Sequence, residues 1–292
     1  MQITASMVNE LRSKTGVGMM QCKAALTETG GDIDKAVEFL RKQGAAVASK
    51  RADKAAKEGR VFMVETSNKA VAFELSCETE PVSKNEDFVA LAELAVRAVA
   101  EQDITSVEAL TEAVVDGVKV GDRLQDVLVK IQENIGFRRL SVVRYGANEV
   151  ISLYSHMMGK IGVISHLAYE GTPKDALELK QAAKDVAMQI AAFAPIAVEA
   201  SQVPEDVIQK ERDIARALIE KEGKTKPEFV ERQVEGKVSK MLKEIVLADQ
   251  EFFITDKNPN KLSVANYLSE VAKAQGLSSL KVIEFVRFER GN

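Results

Sequence analysis

The apolar positions of this 292-residue chain change period several times, and each change marks an element. Near the start, Val8 and Leu11 share one helical face, with Ser6 as the expected cap. Thr15-Gly16-Val17-Gly18 ends that helix, because closely spaced glycines reach backbone conformations that other residues resist. A second helix is expected from about Met19 to Leu26. Gly30-Gly31 breaks the chain again and Asp32 caps a third helix, in which Ile33, Ala36, Val37 and Leu40 recur at i, i+3, i+4 and i+7. Residues 1–44 therefore read as a three-helix domain with a small core. Residues 45–59, AAVASKRADKAAKEG, carry no strong apolar stripe and read as a solvated helical linker.

The period then falls to two. RVFMVE and AVAFELSC are strands joined by Thr66-Ser67-Asn68-Lys69, a hairpin signal. The second strand ends at Cys77, and SCETEPVSKNEDF follows, with Glu80-Pro81 on an expected corner. Residues 85–101 return to helical spacing, with Phe88, Leu91, Ala92 and Ala95 on one face. Short helices near 106–115 and 122–134 precede the strand FRRLSVVRY. The pattern recurs: VISLYSH and KIGVISHLA flank Met157-Met158-Gly159 as another hairpin, and a helix follows over about 174–192. Residues 60–149, and 150–203 together with 247–292, thus read as two α+β subdomains. Inserted in the second of them, 204–222 and 227–246 are charged helices around the turn from Glu222 to Pro227. Val207, Ile214 and Leu218 form a narrow stripe on the first. Val230, Val234, Val238, Met241, Leu242 and Ile245 form one on the second. This predicts an antiparallel coiled-coil hairpin over 204–246, reaching about 28 Å at ~1.5 Å per residue. A helix near 261–274 and the strand VIEFVRFE complete an α+β chain.

Composition narrows the chemistry. Lys and Arg number 40 against 44 Asp and Glu, so the net charge of −4 gives no global attraction to nucleic acid or anionic membrane. Cys22 and Cys77 are the only cysteines, too few for a disulfide framework or a thiolate zinc site, and they read as buried free thiols. The opening MQITASMVNELRSK lacks a signal-like apolar core, and no apolar run is of membrane-spanning length, so a cytoplasmic location is expected. Gly223-Lys224-Thr225 resembles the end of a phosphate loop, but the glycine required five residues earlier is Leu218. Gly16-Val17-Gly18 opens a dinucleotide-like motif whose third glycine is Gln21. His156 and His166 lie on separate strands without metal-ligand spacing, and no G-x-S-x-G occurs. No cofactor, metal or catalytic set is expected.

The N-terminal segment carries a more specific signal. Leu11-Arg12, Thr15-Gly16, Gly18-Met19-Met20, Cys22-Lys23, Ala25-Leu26 and Gly31-Asp32-Ile33 closely resemble the opening of the bacterial elongation factor Ts family. The resemblance continues, in order, through Ile131-Gln132-Glu133-Asn134-Ile135, Tyr154 to His156, Gly159-Lys160-Ile161-Gly162-Val163 and Phe285-Val286-Arg287-Phe288. It implies a ubiquitin-associated-like three-helix domain, a two-part α+β core and an inserted coiled coil. It also implies guanine-nucleotide exchange on elongation factor Tu, by gripping that partner's GTPase domain and disturbing its Mg²⁺ and phosphate site. Arg12, Met19, Met20 and Lys23 match the family's docking surface. Ile131, Gln132 and His156 match further contacts, with Gln132 where the family often has Gly. Counting from Cys77, the family's Thr-Asp-Phe-Val wedge falls on Thr79-Glu80-Pro81-Val82, so the wedge aromatic is replaced by Pro81. A second register at Glu86-Asp87-Phe88-Val89-Ala90 would make Phe88 the aromatic, but Phe88 suits the helix face better. The alternative to exchange is a binding module for elongation factor Tu that drives release weakly or not at all. A homodimer or 2:2 complex is compatible with the coiled coil or a free sheet edge.

Overall fold

A computed structural model describes residues 2–51, 54–223 and 226–292. The chain divides into two compact units: Met1–Val142 with Ser155–Gly162 and Phe288–Asn292, and Val143–Tyr154 with Val163–Arg287. It is α+β, with small antiparallel sheets and N-terminal helices.

The first unit opens with α1 (Ala5–Thr15), α2 (Met19–Glu28) and α3 (Ile33–Arg51). The cap of α1 is Thr4, not the expected Ser6, and its hydroxyl accepts from the Met7 N–H at 3.3 Å. Asp32 caps α3 as expected, accepting from the Lys35 N–H at 3.0 Å. Leu11, Cys22, Ala25, Leu26, Ala36 and Leu40 form the three-helix core. α3 runs beyond residue 44, because the alanine-rich stretch that follows favours helix even without an apolar stripe. Ala52 and Asp53 of the expected linker lie outside the described residues.

The strands β1 (Glu58–Glu65) and β2 (Lys69–Cys77) pair antiparallel, with Phe62 opposite Phe73. Two helices follow, α4 (Glu80–Ser83) and α5 (Glu86–Glu101). Next come α6 (Val107–Glu112), the two-residue strands β3 (Val114–Val115) and β4 (Val118–Lys119), α7 (Val120–Ile131) and β5 (Gly136–Arg144). The sheet order is β1-β2-β5, so β2 is central and all nine of its residues are buried. Val71, Phe73, Leu75 and Cys77 pack with Phe88, Leu91, Ala92 and Ala95 of α5. On the other face, the buried carboxylate of Glu74 accepts from the Arg139 guanidinium at 2.8 Å and from the Gly291 N–H at 3.0 Å. α7 also braces the N-terminal helices: Val129 enters their core and Asp126 accepts from Arg41 at 3.0 Å.

The remaining elements are β6 (Glu149–His156), β7 (Ile161–Glu170), α8 (Ala176–Phe193), α9 (Glu205–Glu222), α10 (Pro227–Ile245), α11 (Val264–Gln275) and β8 (Ser279–Glu289). The second sheet has the order β6-β7-β8. In the second unit, the Ser165 hydroxyl of β7 donates to the Ala183 carbonyl of α8 at 2.7 Å. Asp185 of α8, also buried, accepts from Lys257 at 2.6 Å and from the Tyr267 hydroxyl at 3.2 Å. Buried His166 lies 2.9 Å from Glu284 and 3.1 Å from Glu149.

α9 and α10 form the antiparallel hairpin. Arg212 meets Glu235 and Arg216 meets Glu231, so a step forward on one helix is a step back on the other. On α10, Val234 and Val238 are buried as expected. On α9, Val207 packs partly as expected, but beyond it the stripe is displaced by one residue: Ala215 and Ile219 are buried, whereas Ile214 and Leu218 are nearly half exposed. A small side chain at 215 allows close helix approach, which a rule seeking large apolar residues overlooks. Gly223 caps α9 in the left-handed region at φ 62°, a hairpin-turn role. Lys224 and Thr225 lie outside the described residues.

Candidate functional site

The segment after Cys77, expected as a corner, is one turn of helix, α4. Thr79 precedes it in an extended conformation, and the Glu133 carboxylate accepts from both its N–H, at 3.1 Å, and its hydroxyl, at 2.7 Å. Proline is compatible with the first turn because the N–H it lacks would have no intrahelical partner there. The Ser83 hydroxyl donates to the Glu80 carbonyl at 2.7 Å. Lys84 lies 2.8 Å from the Glu80 carboxylate and, by hydrogen bond and charge, holds that carboxyl below its ordinary range. Glu80 and Pro81 are exposed, and Val82 packs partly on the β2–α5 core. Behind them the Cys77 thiol donates to the Thr79 carbonyl at 3.2 Å. Burial, followed by the charges of Glu133 and Glu58, pushes its pKa up to about 12, which keeps it a thiol.

Beside α4 sits the turn that joins β6 to β7. Its backbone is fixed against β1: the Val61 N–H donates to the Gly159 carbonyl at 2.8 Å. A Cβ at Gly159 would stand 3.0 Å from the Val61 carbonyl oxygen, and one at Gly162 would stand 2.4 Å from the Val61 side chain. Glycine at both positions lets the turn lie directly on β1. The Arg290 N–H donates to the Lys160 carbonyl at 2.9 Å, which ties the end of the chain to the same place. Arg60, Glu80, Ser83, Lys84, Met157, Met158, Lys160 and Arg290 consequently enclose a groove of about 260 Å³.

The other residues singled out in the sequence are distributed as follows. Arg12 of α1 and Met19, Met20 and Lys23 of α2 are all exposed, the two methionines by 55% and 78%. Ile131 packs partly against the β2–α5 core. Gln132 is exposed at the end of α7 in the left-handed region, φ 59°, where its N–H donates to the Leu128 carbonyl at 3.0 Å. Its carbonyl accepts from the Arg51 guanidinium. That conformation accounts for the glycine the resemblance implies there. His156 is exposed at the end of β6, next to the groove-lining Met157. Phe88 is fully buried, so it belongs to the core. The structure therefore brings Glu80 and the turn after His156 to one groove. Arg60, Lys84, Met157, Met158, Lys160 and Arg290 were not anticipated from sequence. Paired methionines in a hairpin turn were the one available signal.

Cys22 and Cys77 are buried free thiols, as expected. Among the described residues, no group of three or more His, Cys, Asp or Glu is placed to hold a metal ion. No helix there is long and apolar enough to cross a membrane.

Comparisons with known proteins agree with this architecture. The family model described as Elongation factor TS matches residues 78–292. An elongation factor Ts of Clostridium novyi (strain NT) is 43% identical over 99% of this chain and 93% of its own length. Those of Chlorobium phaeovibrioides, at 42% over 99% of each chain, and Nautilia profundicola, at 38% over 99% of this chain and 93% of its own, are also similar. Matches that run through the N-terminal helices, both sheets and the hairpin place the chain in the elongation factor Ts family of translation elongation factors.

Proposed function

We propose that this chain promotes release of GDP from elongation factor Tu by binding the partner's GTPase domain and disturbing its Mg²⁺ and phosphate site. Membership of the elongation factor Ts family over nearly the full chain is the observation that carries this reading. The proposed contact residues are Arg12, Met19, Met20, Lys23, Glu80, Pro81, Val82, Ile131, Gln132 and His156. Exposure of both methionines on α2 supports their part in it, since flexible thioethers suit an adaptable interface and the small core does not need them.

The mechanism is linkage. A protein that binds nucleotide-free elongation factor Tu more tightly than its GDP form weakens GDP binding by the same factor. Accelerated release further requires a ternary state in which the nucleotide is already loosened. Displacing Mg²⁺ contacts achieves this, because the ion offsets phosphate charge. The exchange factor then supplies shape, hydrogen bonds and charge, and no bond is made or broken. Stopped-flow release of fluorescent GDP from elongation factor Tu tests the proposal. A release rate that rises with added chain and saturates is expected; no acceleration at saturation refutes it.

One observation favours a second reading, binding with weak exchange. The exposed position at the head of α4 carries Pro81, and the nearby Phe88 is sealed in the core, so α4 presents no aromatic. Tight binding by calorimetry with an unchanged GDP off-rate would select that reading.

A further inference from the structure

Met157 and Met158 are 65% and 70% exposed at the tip of the β6–β7 turn. Their φ angles are 49° and 54°, both in the left-handed region, and Gly159 follows at 87°. The Lys160 N–H donates to the Met157 carbonyl at 3.2 Å and closes the turn. Left-handed backbone costs a residue other than glycine or asparagine about 1 kcal/mol or more. Neither methionine lowers that cost by burying its side chain. A turn selected for folding alone would carry Asn or Gly at these positions. Two large apolar side chains are thus held in water, on strained backbone, over a groove.

The groove has a definite charge. Lys84 is paired with Glu80, and Arg290 with Glu58 at 2.8 Å. Arg60 and Lys160, which also line it, form no ion pair with any described residue. Two half-buried cations without counterions beside two exposed thioethers fit a segment that presents an acidic side chain next to an apolar one. The groove is continuous with Glu80 of α4, and its turn follows directly on His156.

We propose that Met157 and Met158 supply the apolar contact to elongation factor Tu that Pro81 does not, while Arg60 and Lys160 receive an acidic side chain of the same partner segment. This rests on the function proposed above. The wedge is then composite: α4 supplies a rigid carboxylate and proline, and the β6–β7 turn supplies the apolar bulk. Methionine suits that part because its unbranched side chain adapts to an irregular partner surface.

The test compares the full chain with Met157→Asn/Met158→Asn and with Arg60→Gln/Lys160→Gln. Asparagine favours the left-handed region, so the first variant keeps the turn and melts at the parent temperature or above. Its affinity for nucleotide-free elongation factor Tu falls tenfold or more, and its maximal GDP-release rate falls with it. The second variant binds more weakly and loses part of the parent's salt dependence. Affinity and release within twofold of the parent in the methionine variant overturn the composite wedge while leaving the exchange function standing. If the parent itself neither binds elongation factor Tu nor releases its GDP, both readings fall together. Sedimentation of the chain alone covers the other occupant: a parent dimer that the methionine variant dissolves would assign the groove to a second copy and overturn the proposal.

Discussion

Pro81 is exposed at the first turn of α4, its ring fixing φ near −65° and its neighbour Glu80 tethered to Lys84. A side chain here meets solvent or a partner, so substitution tests recognition with little cost to the core. Pro81→Phe is expected to retain GDP release and to increase its maximal rate in the stopped-flow assay. A tenfold loss would show that the site is adapted to proline. Four residues earlier in the chain, Cys77 illustrates the opposite environment. Its folded pKa, about 12, lies above its ordinary value of 9.0, so the folded state keeps a proton that the unfolded state releases in alkali. That contribution is fully present below pH 9.0 and is lost as pH rises toward about 12. Relative to Cys77→Ala, the parent's urea midpoint should therefore decline across this window; parallel pH profiles would contradict the assignment.

Elements were legible to different degrees. α5 is legible because Phe88, Leu91, Ala92 and Ala95 are large or closely spaced enough to show a helical period, and all four are buried. The short α4 is not, because a proline beside two acids carries a turn signal stronger than four residues of helix. β3 and β4 are two residues each and leave no period to read. The α9 register failed by one position because Ala215, not a larger neighbour, faces α10. This displacement has a direct consequence. Ile219→Ala should destabilise the hairpin by about 2 kcal/mol or more, as it empties a buried site, whereas Leu218→Ala should stay within about 0.5 kcal/mol. Hydrogen exchange along α9 and α10 would detect the difference, and equal effects would restore the original stripe. Arg212–Glu235 and Arg216–Glu231 set direction and register but, as solvent-screened surface pairs, add little to stability.

For the whole molecule, the least legible feature was which distant segments share a unit. Nothing in the local pattern of Ser155–Gly162 or Phe288–Asn292 assigns them to the same unit as β1 and α4. The determinants are close approaches, such as Gly162 on Val61, and buried polar links that sequence periodicity does not encode. Glu74 is the central link, joining β2 to Arg139 of β5 and to the backbone of Gly291. Arg139 also stacks over the Phe288 ring, 4.4 Å from its centroid. Glu74→Ala leaves that guanidinium without its buried partner and should cost about 3 kcal/mol or more in urea unfolding. Its exchange signature should be faster hydrogen exchange in β1, β2 and β5, with α8 and α11 of the second unit unchanged. A uniform rise over both units would show that they unfold as one.

The groove shares this long-range construction. Its Arg290 guanidinium donates to the Gly59 carbonyl across 231 positions of sequence, with the Met157–Met158 turn drawn from between. Closing so long a loop costs entropy before any contact repays it, so local hairpins and helices form sooner. A chain caught partway through folding can display α1, α2 and the β1–β2 hairpin while the groove does not yet exist. Whatever docks there consequently reads the maturity of the protein as well as its identity, and half-folded copies are silent to it.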